Sequence, residues 1–114
     1  MLKVELERFK VIKGKSEKVD EWLKFLNDNM ENTLLTLEGE KMFVESIHRE
    51  VIDGEEYLYW YCIQGQGGFD VHDSDSYIDK KHLEYWEECI DKSYQKLIAT
   101  EVVMIPNEIK NCMK

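Results

Sequence analysis

The sequence predicts an α+β domain of the split βαβ, or ferredoxin-like, kind: a four-stranded antiparallel sheet with two helices on one face. Three observations predict it. Two stretches, 17–37 and 76–91, carry apolar residues at helical spacing. Four others, 3–12, 42–52, 56–64 and 100–105, carry the β-branched and aromatic residues of strands. Asp53-Gly54 between the second and third of these is a strong type I′ hairpin signal. The resulting order is strand, helix, strand, strand, helix, strand.

In the first strand Val4 and Leu6 point one way while Phe9 and Val11 point the other, so a bulge is expected near Arg8. Lys13-Gly14-Lys15 turns the chain and Ser16 is placed to cap a helix. That helix starts near Glu17 and ends between Leu34 and Leu37. Val19, Trp22, Leu23, Leu26, Met30, Leu34 and Leu37 share one third of its circumference, with Gly39 as a stop.

If Asp53-Gly54 is the turn, Ile52 pairs with Glu55. His48 then lies opposite Tyr59, Ser46 opposite Tyr61, and Val44 opposite Ile63. The alternate face carries Phe43, Glu45, Ile47, Arg49 and Val51 with Leu58, Trp60 and Cys62. Gly65-Gln66-Gly67-Gly68 breaks the third strand, and an acidic loop leads to the second helix, Ser76 to Asp91. Its apolar arc holds Ile78, Leu83, Tyr85, Trp86, Cys89 and Ile90. Ser76 and Asp79 resemble a capping box. Lys92–Ala99 reads as a return loop, and Thr100–Ile105 as a last strand stopped by Pro106. Residues 1–106 form the domain and 107–114 a tail.

Both sheet faces are rich in apolar and aromatic groups. Two helices cover only one, so a second copy of the sheet is the simplest cover for the other, which predicts a symmetric homodimer. The formal charge of −9 repels phosphate backbones and anionic lipid, so no nucleic acid or membrane partner is expected. The charged N-terminus lacks a signal-peptide core and no apolar run spans a bilayer, which makes the cytoplasm the expected location. Three cysteines without a C-x-x-C pair read as reduced and structural.

Particular stretches carry a likeness to known proteins: Trp22-Leu23-Lys24-Phe25-Leu26, Leu35 to Met42, Tyr57-Leu58-Tyr59-Trp60-Tyr61, and Asp79 to Trp86. Through them nearly the whole chain resembles a small bacterial family known only as a domain of unknown function, within the dimeric α+β barrel superfamily. That superfamily includes cofactor-free monooxygenases of antibiotic biosynthesis and L-rhamnose mutarotase. The mutarotase likeness extends to Glu101-Val102-Val103-Met104-Ile105-Pro106. The mutarotase, however, keeps a functional histidine in its first helix, and this chain has none there, which argues against the same epimerisation. The resemblance implies a dimer and brings no activity with it.

His82 lies near the middle of the second helix's apolar arc, with Asp79 one turn earlier on the same side. The functional reading is a general base, His82, oriented by Asp79 in a pocket between helix and sheet. The bland one is a core histidine with a satisfied hydrogen bond. Trp86, Trp60, Tyr59 and Tyr61 are candidate walls for a flat organic ligand, or simply core. His48 is a candidate partner for Tyr59, or a packing pair. Glu45 and Arg49, four residues apart on one strand, cannot touch and each needs another partner. Asp70, His72, Asp73 and Asp75 lack the EF-hand spacing and suit helix capping, so no metal is assigned; no cofactor motif appears either. Two functions remain: a cofactor-free enzyme or binder of a small organic molecule, and a non-catalytic dimeric module. The first requires a cavity of at least about 300 Å³ reaching His82.

Overall fold

The computed structural model describes all 114 residues. Strand β1 spans Lys3–Val11, α1 Ser16–Asp28, α2 Met30–Gly39, β2 Met42–Ile52 and β3 Glu55–Gln64. A 3-10 turn at Val71–Asp73 precedes α3 (Tyr77–Cys89), β4 (Ile90–Ile98) and the short α4 (Asn107–Lys110). The fold is α+β, with one antiparallel sheet in the order β2-β3-β1-β4.

The β2–β3 hairpin has the register its turn dictates. Asp53 (φ 51°) and Gly54 (φ 77°) are both left-handed, as a type I′ turn needs, and Ile52 faces Glu55, His48 faces Tyr59 and Val44 faces Ile63. The irregularity expected near Arg8 falls just beyond it. Phe9 pairs with Gln95 but Val11 with Ile90, so two steps on β1 face five on β4.

Two expectations are corrected. The long first helix is divided at Asn29, whose side-chain Nδ2 donates to the Phe25 carbonyl at 2.8 Å. That carbonyl also accepts from the Asn29 backbone N–H, and with φ −111° the chain leaves helical geometry for one residue. Gly39 still ends the helical run. The last strand is Ile90–Ile98, not Thr100–Ile105; the segment read as a loop is β4. It is an edge strand that pairs only with β1, and edge strands carry lysines and other polar residues, here Asp91, Lys92, Gln95 and Lys96. Residues 99–106 have no regular structure, and Met104 there is 87% exposed.

The core joins Phe9 and Val11 of β1, Leu58 of β3, Val19 and Trp22 of α1, and Tyr85 and Cys89 of α3, with Ile90 at the start of β4. Trp60, Ile47 and Trp86 pack against it. The helices therefore cover the face of Phe9, Ile47, Leu58 and Trp60. The alternate face carries Tyr57, Tyr59 and Tyr61 beside Arg8 and Tyr94. Arg8 Nε donates to the Tyr94 hydroxyl at 2.7 Å, and its guanidinium lies 5.1 Å from the Tyr57 ring centre. No helix that builds the core lies on this face.

Candidate functional site

Trp22, fully buried on α1, organises the site. Its ring lies 5.7 Å from Trp60, 6.2 Å from Trp86 and 5.5 Å from His82, centre to centre. Its indole Nε1–H donates to His82 Nδ1 at 3.0 Å. An indole nitrogen only donates, so Nδ1 must be the acceptor and the ring hydrogen sits on Nε2. Burial holds the His82 pKa down to about 4, partly opposed by the charge of Asp79, so the ring is neutral near pH 7. Asp79 does not orient His82; Trp22 takes that role. No buried side-chain nitrogen or oxygen is left both sealed and unpartnered, so the Nε2–H opens onto free space.

That space is a cavity of about 640 Å³ between the sheet and the helices. Residues of both α1 and α2, which part at Asn29, line it. The first half of the apolar stripe (Val19, Trp22) is packed into the core. Leu34 in the second half is 52% exposed and only overhangs the cavity. Phe9, Trp60, Trp86, Leu23, Leu26 and Ile47 form apolar walls.

Five acidic residues line it, and Asp79, Glu45 and Glu40 are the three that bear most on its chemistry. Asp79 is the one buried charged residue, 5% exposed, and no hydrogen bond or ion pair involves its side chain. The capping box is not closed. The Ser76 N–H that Asp79 would accept from is bonded to Ser74 Oγ at 3.0 Å, while Ser76 Oγ accepts from the Ile78 N–H. Asp79 is thereby left to the cavity. Glu45 on β2 accepts from Trp60 Nε1 at 2.9 Å, and burial raises its pKa despite that bond, with the Asp79 charge adding to the rise.

Glu40 is the residue the sequence reading missed. It follows α2, and the glycine loop after β3 folds over it. Gln64 Nε2 donates to the Glu40 carbonyl at 3.0 Å, and the Phe69 N–H donates to the Gly39 carbonyl at 2.8 Å. Burial raises its carboxyl pKa to about 7, helped by the charges of Asp79, Glu45 and Asp70. The Gly39 stop beside a glutamate was the only local signal.

The structure thus brings together His82, Asp79, Trp86, Trp60 and Glu45. It separates the other candidates. Tyr59, Tyr61 and His48 lie on the face away from the helices; His48 is 2.9 Å from Ser46 Oγ, and His48 and Tyr59 are paired across the strands. Arg49 is absent from the cavity because it braces α1 to the hairpin, donating to Asp20, Glu56 and the Ser16 carbonyl. In the acidic loop, Asp70 accepts from the backbone and ring nitrogens of His72 at 2.8 Å, capping the 3-10 turn.

The model of a family described as "Family of unknown function (DUF6176)" matches residues 2–111, nearly the whole chain. No curated protein matches it.

Proposed function

The chain belongs to that family of unknown function, and we propose that it binds a small organic molecule in the cavity and moves a proton on it without a cofactor. The observation that carries this reading is the wall of polar groups, His82, Glu40, Glu45 and Asp79, turned into an otherwise apolar cavity of about 640 Å³. Packing would not choose those groups there. Glu40, titrating near neutrality, is the proton-transferring group. It takes a proton from one ligand atom and returns it to another, so only the ligand's own bonding changes. His82 contributes a neutral Nε2–H donor to a ligand oxygen, and Trp60 and Trp86 flank the bound molecule.

We read the fold as a ferredoxin-like unit of the dimeric α+β barrel superfamily. The order β2-β3-β1-β4, with α1 following β1 and α3 following β3, supports that reading. A second copy would cover the tyrosine-bearing face, and the exposed apolar residues of the 99–106 segment suit the same contact. Three free cysteines suit a reducing cytoplasm.

The test is a thermal-shift screen of a metabolite library against wild type, followed by proton-exchange NMR on each hit. Support is a compound that stabilises the protein and exchanges a carbon-bound proton with solvent in wild type but not in Glu40→Gln. Exchange that persists in Glu40→Gln would remove Glu40 from the mechanism. A library without a single hit would favour the non-catalytic dimer, to which the tyrosine face also belongs.

A further inference from the structure

Resting on the reading of the cavity as a small-molecule site, we propose that its ligand is an organic cation: an amine carrying an apolar or aromatic body. The charge balance of the walls is the first ground. The lining includes the carboxyl groups of Glu7, Glu40, Glu45, Asp70 and Asp79, and no lysine or arginine. The imidazole at its inner end is fixed as a neutral donor by Trp22. An anionic ligand would meet the repulsion of these acids with no lysine or arginine to offset it, and a neutral one would leave Asp79 and Glu40 without a counter-charge.

Asp79 is the second ground, for its burial rather than its charge alone. Asp79 as a whole is 5% exposed, no protein donor bonds its carboxyl group, and its oxygens are not sealed in but remain open where the residue lines the cavity. Once a ligand fills the cavity and displaces solvent, a carboxylate so placed needs a partner from that ligand. Glu7, Glu45 and Asp70 have protein partners, Gln95, Trp60 and His72. Asp79 has none, and the ammonium of a ligand supplies the missing partner.

The rings are the third. Phe9 and Trp86 meet at 75° with centres 4.6 Å apart, and Trp60 stands at 71° to Trp86 with centres 5.6 Å apart. Steeply inclined rings make a corner rather than a closed stack. A cation against such faces is attracted by the ring quadrupoles as well as by the carboxylate, and indole is the strongest ring for it. The aliphatic walls of Leu23, Leu26 and Ile47 receive the rest of the molecule.

Three probes that share one ring but differ in charge test this: benzylamine, benzyl alcohol and benzoate, titrated at about pH 8 while the indole N–H signals of Trp60 and Trp86 are followed by NMR. Benzylamine is expected to bind about tenfold or more tightly than benzyl alcohol, and benzoate not to bind. Asp79→Asn should lower benzylamine affinity about tenfold and leave benzyl alcohol unchanged, with Glu45→Gln as a second variant in case the first folds poorly. Equal affinity for amine and alcohol, or preference for benzoate, overturns the cation assignment while the small-molecule site stands. No indole shift with any of the three overturns the site itself, and this inference with it.

Discussion

Replacing Glu40 by glutamine should stabilise the protein at alkaline pH and leave it nearly unchanged in acid. In the folded chain the Glu40 carboxyl titrates at about 7 rather than near 4.5. Its folded pKa is raised, so between those values the native state holds a proton the unfolded chain has released. The contribution is fully present below the unfolded pKa and is lost as pH rises through the folded one. The shift of about 2.5 units corresponds to a ceiling of about 3.4 kcal/mol. Glu40 is only half-buried, so solvent screening reduces the expected loss to about 1–2 kcal/mol. Glutamine fills nearly the same space, cannot ionise, and relieves repulsion from Asp79 and Glu45. Urea unfolding of both proteins at about pH 4.5 and about pH 8 measures the difference directly, because other titrating groups largely cancel in the comparison. The expected result is near equality in acid and a variant more stable by about 1–2 kcal/mol in base. A difference that does not change with pH, or one of opposite sign, would refute the placement of Glu40 beside Asp79 and Glu45.

His82 titrates in the opposite sense. Its folded pKa is lowered from 6.5 to about 4, so wild type should lose up to about 3 kcal/mol as pH falls across that window, a loss absent in His82→Gln on the same urea curves. The Glu40 and His82 slopes oppose each other near pH 5–6, so each single variant should expose a pH dependence that wild type hides. At Gly68 an added Cβ would overlap the Glu40 carbonyl and meet the Lys41 N–H. Gly68→Ala should therefore cost about 2 kcal/mol or more by thermal unfolding and abolish the alkaline gain of Glu40→Gln. For the open face, wild type should sediment as a dimer and Tyr59→Glu as a folded monomer, and a wild type that sediments at the mass of one chain would remove that interface.

How much of this was legible depends on whether a feature is local. The hairpin was, because Asp53 and Gly54 fix its register through two left-handed residues. The α3 arc was, because periodicity alone places His82 and Asp79 on its buried side. β4 was not. Its alternation is masked by the lysines and acids of an edge strand, while Thr100–Ile105 has strand composition but no partner. The edge of β1 it would need is already taken by β4. The division of the first helix was hidden in one residue, Asn29, whose effect is a side-chain bond and not a propensity. In the site, alternation separates Glu45 and Trp60 from His48, Tyr59 and Tyr61, but nothing in it says which set meets the helices. Glu40 acquires its character from Gln64, Gly68 and Phe69, a contact between distant parts of the chain that no local pattern encodes.

The sign of stability changes separates the two readings of this cavity. A residue kept for packing should destabilise the fold when replaced, because its contacts are lost. Trp22 is such a residue: it is fully buried, touches three other aromatic side chains and His82, and supplies the hydrogen bond that fixes the imidazole. Glu40 is the contrary case. Burial beside apolar walls and the charges of Asp79, Glu45 and Asp70 raise its carboxyl pKa to about 7, so its ionised form costs stability in the ligand-free protein. A core selected for stability alone would replace it, since a neutral side chain of similar size removes the penalty. Its presence is accounted for if the penalty is returned on binding, when a ligand supplies the charge that the protein withholds. Glu40→Gln should then raise the unfolding temperature of the free protein at about pH 8 and lower its affinity for benzylamine, two opposite effects that a purely structural carboxylate would not produce together.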